Sequence, residues 1–206
     1  GFAVYMAYTS LPFFLTYLDE LHALPAIAIS IFGILSTSGG RIAVALPSGF
    51  IAEKLFGSSA GGIRAGLFGV ILLCGAMLLL SPDSAAWLAM VTMLGLAFLF
   101  FFMRALYFAP FGEMGLPPRF SGSVIAVAAF VIYLPSTFAY LLWGLILDNS
   151  EGISGYHYLF MILALVACLG VIGAHKRKDR LEAGTATDIA QKIKRLDDNL
   201  RLEGSE

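Results

Sequence analysis

Charged residues are scarce in this chain, at 13% of 206 positions, against roughly 25% in ordinary soluble domains. The scarcity is regional. Residues 1–174 hold 5 Lys/Arg and 7 Asp/Glu, whereas residues 175–206 hold 8 and 7. A body so poor in charge and 59% hydrophobic is not intrinsically disordered. It is not a soluble nucleic-acid binder either, which would need a basic face; no nucleic-acid partner is expected. Cysteine is almost absent. Cys74 and Cys168 both sit inside apolar runs, which excludes a disulfide framework and leaves packing as their role. No His/Cys cluster has metal-ligand spacing, and His22, His157 and His175 fall at the ends of apolar runs. The H-E-x-x-H motif and the phosphate loop G-x-x-x-x-G-K-[ST] are missing. The chain also lacks a buried nucleophile–base set and the paired Asn-Pro-Ala motifs of water channels. These absences exclude an intramembrane enzyme, and no metal or cofactor is expected.

What the sequence does contain is long apolar runs. A bilayer-crossing helix needs about 20 mostly apolar residues. Six stretches qualify, over residues 2–18, 27–52, 63–80, 86–111, 123–147 and 156–174. The expected fold is an all-α membrane protein with six transmembrane helices in residues 1–174. Residues 175–206 are expected to form a charged cytoplasmic tail. In that tail Ile189, Ile193, Leu196 and Leu200 recur at spacings of 4, 3 and 4 behind the capping residue Asp188, the pattern of a short amphipathic helix. The chain opens on Gly1 directly before an apolar run and reads as a piece of something longer.

The connecting loops sort by sign. Those after the first, third and fifth runs hold Asp19, Glu20, Asp83, Asp148 and Glu151 and no Lys or Arg. Those after the second and fourth, with the tail, hold Lys54, Arg64, Arg119, Lys176, Arg177 and Lys178. Basic loops mark the cytoplasmic side, so both termini are expected to be cytoplasmic. Tyr17, Trp87, Trp143, Tyr156 and Tyr158 lie near run ends, where interfacial anchors belong.

Within the runs, polar residues are the functional signal. Arg41 sits in mid-span, about 11 residues from the end of its run. A centrally placed Arg costs about 2.5–3.5 kcal/mol on insertion scales, so it is expected to face an interior or a water-filled cavity. Its planar fork suits a carboxylate, sulfate or phosphate. In the fifth run Tyr133, Thr137 and Tyr140 share one helical face beside Ser136, suited to hydrogen-bonding a solute. Tyr5, Tyr8, Thr9 and Pro12 form a smaller set in the first run. Arg104, about seven residues from the cytoplasmic end of the fourth run, is placed to pair with Glu53 or Glu113. The second run carries Gly33, Gly39, Gly40, Pro47 and Gly49, and the fifth Gly122, Pro135 and Gly144. Interruptions in corresponding segments of two successive three-helix groups point to inverted repeats around a midplane site.

Three stretches resemble the C-terminal six-helix half of a major facilitator superfamily transporter. In Pro47–Gly57, Gly49, Glu53, Lys54 and Gly57 follow the order of the superfamily's cytoplasmic loop signature, with Glu for the usual Asp. Arg104–Glu113 followed by Pro117, Ser121, Gly122 and Pro135 is similar to the tenth and eleventh helices of the organic-anion and sugar-acid branch. Arg41 resembles the substrate-binding arginine of oxalate–formate exchangers; the basic partner those exchangers carry in helix eleven has no counterpart here. The resemblance implies a secondary active transporter working by alternating access, as symporter or antiporter, in a bacterial inner membrane. The solute would be a small organic anion such as a carboxylate or sugar acid. It implies a missing N-terminal six-helix half as partner, with membrane lipid around both. Arg41, Tyr133, Thr137 and Tyr140 would bind the solute, and Glu53, Lys54, Arg104 and Glu113 would form the cytoplasmic gate. The rival expectation is a non-transporting six-helix scaffold or receptor acting through its cytoplasmic tail.

Overall fold

The computed structural model describes residues 1–45, 47–81, 85–109, 111, 118–150 and 152–175. The amphipathic stripe expected at 189–200 and the gate residue Glu113 lie outside these residues. All regular structure among the described residues is helical. In chain order the elements are α1 (Phe2–Tyr8), α2 (Leu11–His22), α3 (Ala26–Ile34), a π-turn (Leu35–Gly39), α4 (Gly40–Ala45) and α5 (Ser48–Phe56). Then come α6 (Ser59–Leu79), α7 (Ala86–Leu106), α8 (Pro118–Tyr133), α9 (Pro135–Asp148) and α10 (Ile153–His175).

Five segments are long and apolar enough to cross a membrane: Ala26–Val44, Ser59–Leu79, Ala86–Leu106, Gly122–Asp148 and Ile153–His175. The expected first run, residues 2–18, is divided between α1 and α2 at Thr9 and Ser10. Pro12 is the cause: it has no N–H to give the carbonyl one turn back, and its ring crowds that turn. Thr9 and Ser10 satisfy the loosened turn themselves, their hydroxyls donating to the Met6 and Ala7 carbonyls at 2.6 and 2.7 Å. Both keep right-handed helical dihedrals, so the chain continues from α1 into α2 without reversing. The second run, expected to reach residue 52, is one span only over Ala26–Val44, and α5 follows after Pro47. The π-turn widens that span without ending it.

The bundle is built around α7. Half of its apolar window is buried, against 17–33% for the other four spans. Phe100, Met103, Leu96 and Met93 of α7 pack with Val4, Phe14, Tyr17 and Leu18 of α1–α2 and with Phe160 of α10. Small residues set the approach of α6 to α7: a Cβ on Gly66 would stand 2.5 Å from Met103 Cγ, and one on Gly69 would stand 2.7 Å from Leu99 Cδ1. Membrane helices associate through such small residues because lipid offers no hydrophobic drive between them. The outer surface carries Ile27, Leu72, Leu79, Phe130 and Leu141 exposed, far more apolar area than a soluble monomer leaves uncovered.

The expected interfacial anchors divide. Trp87 and Tyr158 are exposed, but Trp143, Tyr17 and Tyr156 are fully buried. Trp143 is a core residue because its indole N–H has an internal acceptor, Thr9 Oγ1, at 2.9 Å. That bond joins α9 to the break between α1 and α2.

Candidate functional site

The local backbone explains how Arg41 is presented. At the π-turn the Gly40 N–H reaches back five residues to the Leu35 carbonyl. Such wide turns hold one extra residue within a helix and recur at functional sites. Ser36 and Thr37 hydroxyls both donate to the Gly33 carbonyl, at 3.2 and 2.6 Å, which steadies the widened turn. Gly40 follows without a side chain, and a Cβ there would lie 2.8 Å from Phe101 Cδ2. The start of α4 therefore rests on the Phe101 ring, and the Arg41 guanidinium carbon stands 5.9 Å from that ring's centroid.

Arg104, one turn further along α7, meets α1. Its guanidinium carbon is 4.1 Å from the centroid of Tyr8 and 5.6 Å from that of Tyr5. Tyr5 and Tyr8 are three residues apart on α1, so both rings address the same space. A desolvated guanidinium over an aromatic face gains about 2 kcal/mol, which helps to hold this cation inside the bundle. Arg104 Nη1 is buried without a hydrogen-bond partner among the described residues.

Further tyrosines lie beyond Tyr5 and Tyr8. The Tyr107 and Tyr133 hydroxyls are hydrogen-bonded at 2.8 Å, joining α7 to the end of α8. The Tyr133 ring stands edge-on to Tyr5 at 4.8 Å between centroids. Tyr140 on α9 is an electrostatic neighbour of Tyr8, Tyr5 and Arg104. Arg41, Phe101, Arg104 and Ala105 together line one cavity of about 280 Å³. A larger cavity, about 650 Å³, lies beside Phe2, Tyr107, Ser123 and Val127, and among the described residues no charged side chain lines it.

The structure thus brings Arg41 to one cavity with Arg104, and places Tyr140 near Arg104 and Tyr133 against Tyr5 and Tyr107. Thr137 is exposed on α9 beyond the break at Leu134–Pro135, its N–H donating to the Leu134 carbonyl. Of the residues expected at the gate, Glu53 and Lys54 are exposed on α5, and Lys54 Nζ lies 5.2 Å from the Phe50 ring centroid. Arg104 has aromatic neighbours here, with Glu53 not among them. Phe101 and Tyr107 had no place in the sequence-based site. Nothing in a single helix run marks them; their role follows from α4 and α8 packing against α7.

At the opposite end of the bundle, Tyr156 Oη donates to Glu20 Oε2 at 2.7 Å, and the Tyr156 ring meets Tyr17 edge-on at 5.0 Å. This fastens the end of α2 to the start of α10. Glu20 is therefore a structural tie as well as a helix-end charge.

Helices of span length and an exposed apolar surface make this an integral membrane protein, in which the exposed Arg41 and the half-buried Arg104 line one cavity. A related protein is the inner membrane protein YihN of Escherichia coli (strain K12), 30% identical over 175 residues. The matched stretch is 83% of this chain and 41% of that protein, so the chain spans less than half the length of its relative. No family model matches the sequence, and no solved structure matches it.

Proposed function

We propose that this chain is the C-terminal half of a secondary transporter of the major facilitator type, carrying a small organic anion by alternating access. The kinked α1–α2 segment is the first of six spans, and the two three-helix groups are inverted repeats. A further six-helix half completes the solute path, and both ends of this half face the cytoplasm.

The observation that carries the reading is the cavity shared by Arg41 and Arg104. Among the described residues no carboxylate lines it. Arg41 is exposed and Arg104 half-buried; a half-buried cation without a counter-ion is costly, and an anionic solute supplies the missing charge. Guanidinium groups bind carboxylate, sulfate or phosphate through paired N–H donors. Tyr133 and Tyr140 add hydroxyls on the neighbouring elements. We assign Arg104 to this site with Arg41, while Glu53 and Lys54 remain with the cytoplasmic loop. No bond of the solute changes. The solute must bind the two access states with similar strength, because a large difference would trap it in one of them.

The test is uptake of labelled organic anions by the full-length protein in proteoliposomes. Arg41→Ala is expected to abolish uptake, and Arg41→Lys to weaken it, because an ammonium cannot reproduce the bidentate fork. Wild-type uptake by both variants would refute the central-cation reading.

A further inference from the structure

We propose a second ligand site, independent of the transport reading: a groove between α6 and α10 that seats an anionic phospholipid. The groove has a volume of about 590 Å³ and is lined by Arg64, Phe68, Val171, Ile172 and His175. Arg64 lies near the start of α6 and His175 at the last residue of α10. The two helices run in opposite directions, so these basic side chains meet at one end of the bundle. By the loop charges this is the cytoplasmic end.

Below the rim the walls are apolar and continue along both helices. On α6, Arg64, Phe68 and Leu72 recur every four residues, and Phe68 and Leu72 are 54% and 73% exposed. On α10, Ile172, Leu169 and Leu165 form the facing stripe, all exposed. The floor is closed where the helices touch: a Cβ on Gly170 would stand 2.9 Å from Leu67 Cδ1. A cationic mouth above a long apolar trough has the polarity of a phospholipid, with the phosphate at Arg64 and an acyl chain along Phe68 and Leu72.

Charge complementarity selects an anionic headgroup. Among the described residues no carboxylate lines the groove, so a zwitterionic headgroup would bring its own cation against Arg64. Basic pockets between membrane helices on the cytoplasmic side are where acidic headgroups bind, at about 1 kcal/mol per Lys or Arg near the surface. That corresponds to about a fivefold preference for an acidic over a zwitterionic lipid.

The experiment uses the full-length protein in detergent, following its thermal midpoint during titration with dioleoyl phosphatidylglycerol, dioleoyl phosphatidylcholine or inorganic phosphate. Phosphatidylglycerol is expected to act at about fivefold lower concentration than phosphatidylcholine. Arg64→Gln is expected to bring the two lipids level, while Arg64→Lys keeps most of the preference. Equal action of the two lipids on the wild type, or an unchanged preference in Arg64→Gln, would overturn the proposal. So would a full effect of inorganic phosphate alone, which would make this a free-anion site. A second variant, Ile172→Trp, reads occupancy directly at an exposed position. Its fluorescence, corrected for the unsubstituted protein, should be quenched more by brominated-chain phosphatidylglycerol than by the brominated phosphatidylcholine. Equal quenching would count against the site even if Arg64→Gln did not fold.

Discussion

Gly39 and Gly40 are neighbours in sequence, yet adding a methyl group to each should have opposite effects. At Gly40 the new Cβ would lie 2.8 Å from Phe101 Cδ2, 3.1 Å from Phe98 Cδ1 and 3.2 Å from Phe101 Cε2. Ordinary carbon–carbon contact begins near 3.5 Å. Phe101 is only 4% exposed and cannot swing clear, so α4 must retreat from α7. Overpacking of this kind costs about 1–3 kcal/mol. The gain of Ala over Gly in a helix, about 0.8–1 kcal/mol, offsets part of it. Gly40→Ala should therefore be destabilised by up to about 2 kcal/mol. At Gly39 the nearest atoms to a new Cβ are Leu35 Cδ2 at 3.7 Å and Ile34 O at 3.8 Å, ordinary contacts, so Gly39→Ala should be neutral or stabilised by up to about 1 kcal/mol. The assay is thermal unfolding of the full-length protein in detergent, with anion binding measured on the same samples. Gly40→Ala should also weaken anion binding, because retreat of α4 lifts Arg41 off the Phe101 ring. Gly40→Ala with Phe101→Leu should recover part of the lost stability, a coupling expected only of residues in contact. Equal stability of the two alanine variants would refute the close approach of α4 to α7 and, with it, the presentation of Arg41.

Three further outcomes follow from the hydrogen bonds. Trp143→Phe removes the indole donor to Thr9 and leaves a void in the core; it should cost about 1–3 kcal/mol, read as a lower thermal midpoint. Tyr133→Phe strands the buried Tyr107 hydroxyl and should cost about 0.6–1.7 kcal/mol, while adding Tyr107→Phe should cost little more, measured as a double-mutant cycle. Tyr156→Phe releases Glu20, which is exposed and recovers water as a donor, so the loss should stay below about 1 kcal/mol; hydrogen exchange should rise at the α2–α10 junction more than elsewhere.

The membrane-spanning character was legible in the sequence because apolar length and charge placement are local properties, and the helices Ser59–Leu79 and Ala86–Leu106 fall within a few residues of the expected runs. Helix continuity was less legible. Pro12 is visible in the sequence, but the hydroxyls of Thr9 and Ser10 that absorb the break become evident only when Trp143 is seen to bond with Thr9. Gly33, Gly39 and Gly40 marked the second run as interrupted, but nothing in Leu-Ser-Thr-Ser-Gly says that the interruption is one wide turn. Trp143 was read as an anchor from its position near a run end, and burial reversed that because an acceptor from another helix was within reach. For the candidate site, Arg41 stood out by itself as an ion in an apolar run. The grouping of Arg104 with Tyr5 and Tyr8 depends on α1 crossing α7, a long-range contact that no window of sequence reports.

The π-turn has a consequence for angular bookkeeping along the second span. An α-helix advances about 100° per residue, and an inserted residue absorbed in one wide turn leaves the helix beyond it facing as though the insertion were absent. Arg41 therefore points where a residue numbered 40 would point in an unbroken helix begun at Ala26. Helical-wheel assignments carried through residues 35–39 misdirect every side chain of α4 by that angle. A homologue shorter by one residue within Leu35–Gly39 would keep its arginine aimed at the ring of Phe101. One shorter by a residue within Ala26–Ile34 would turn it away.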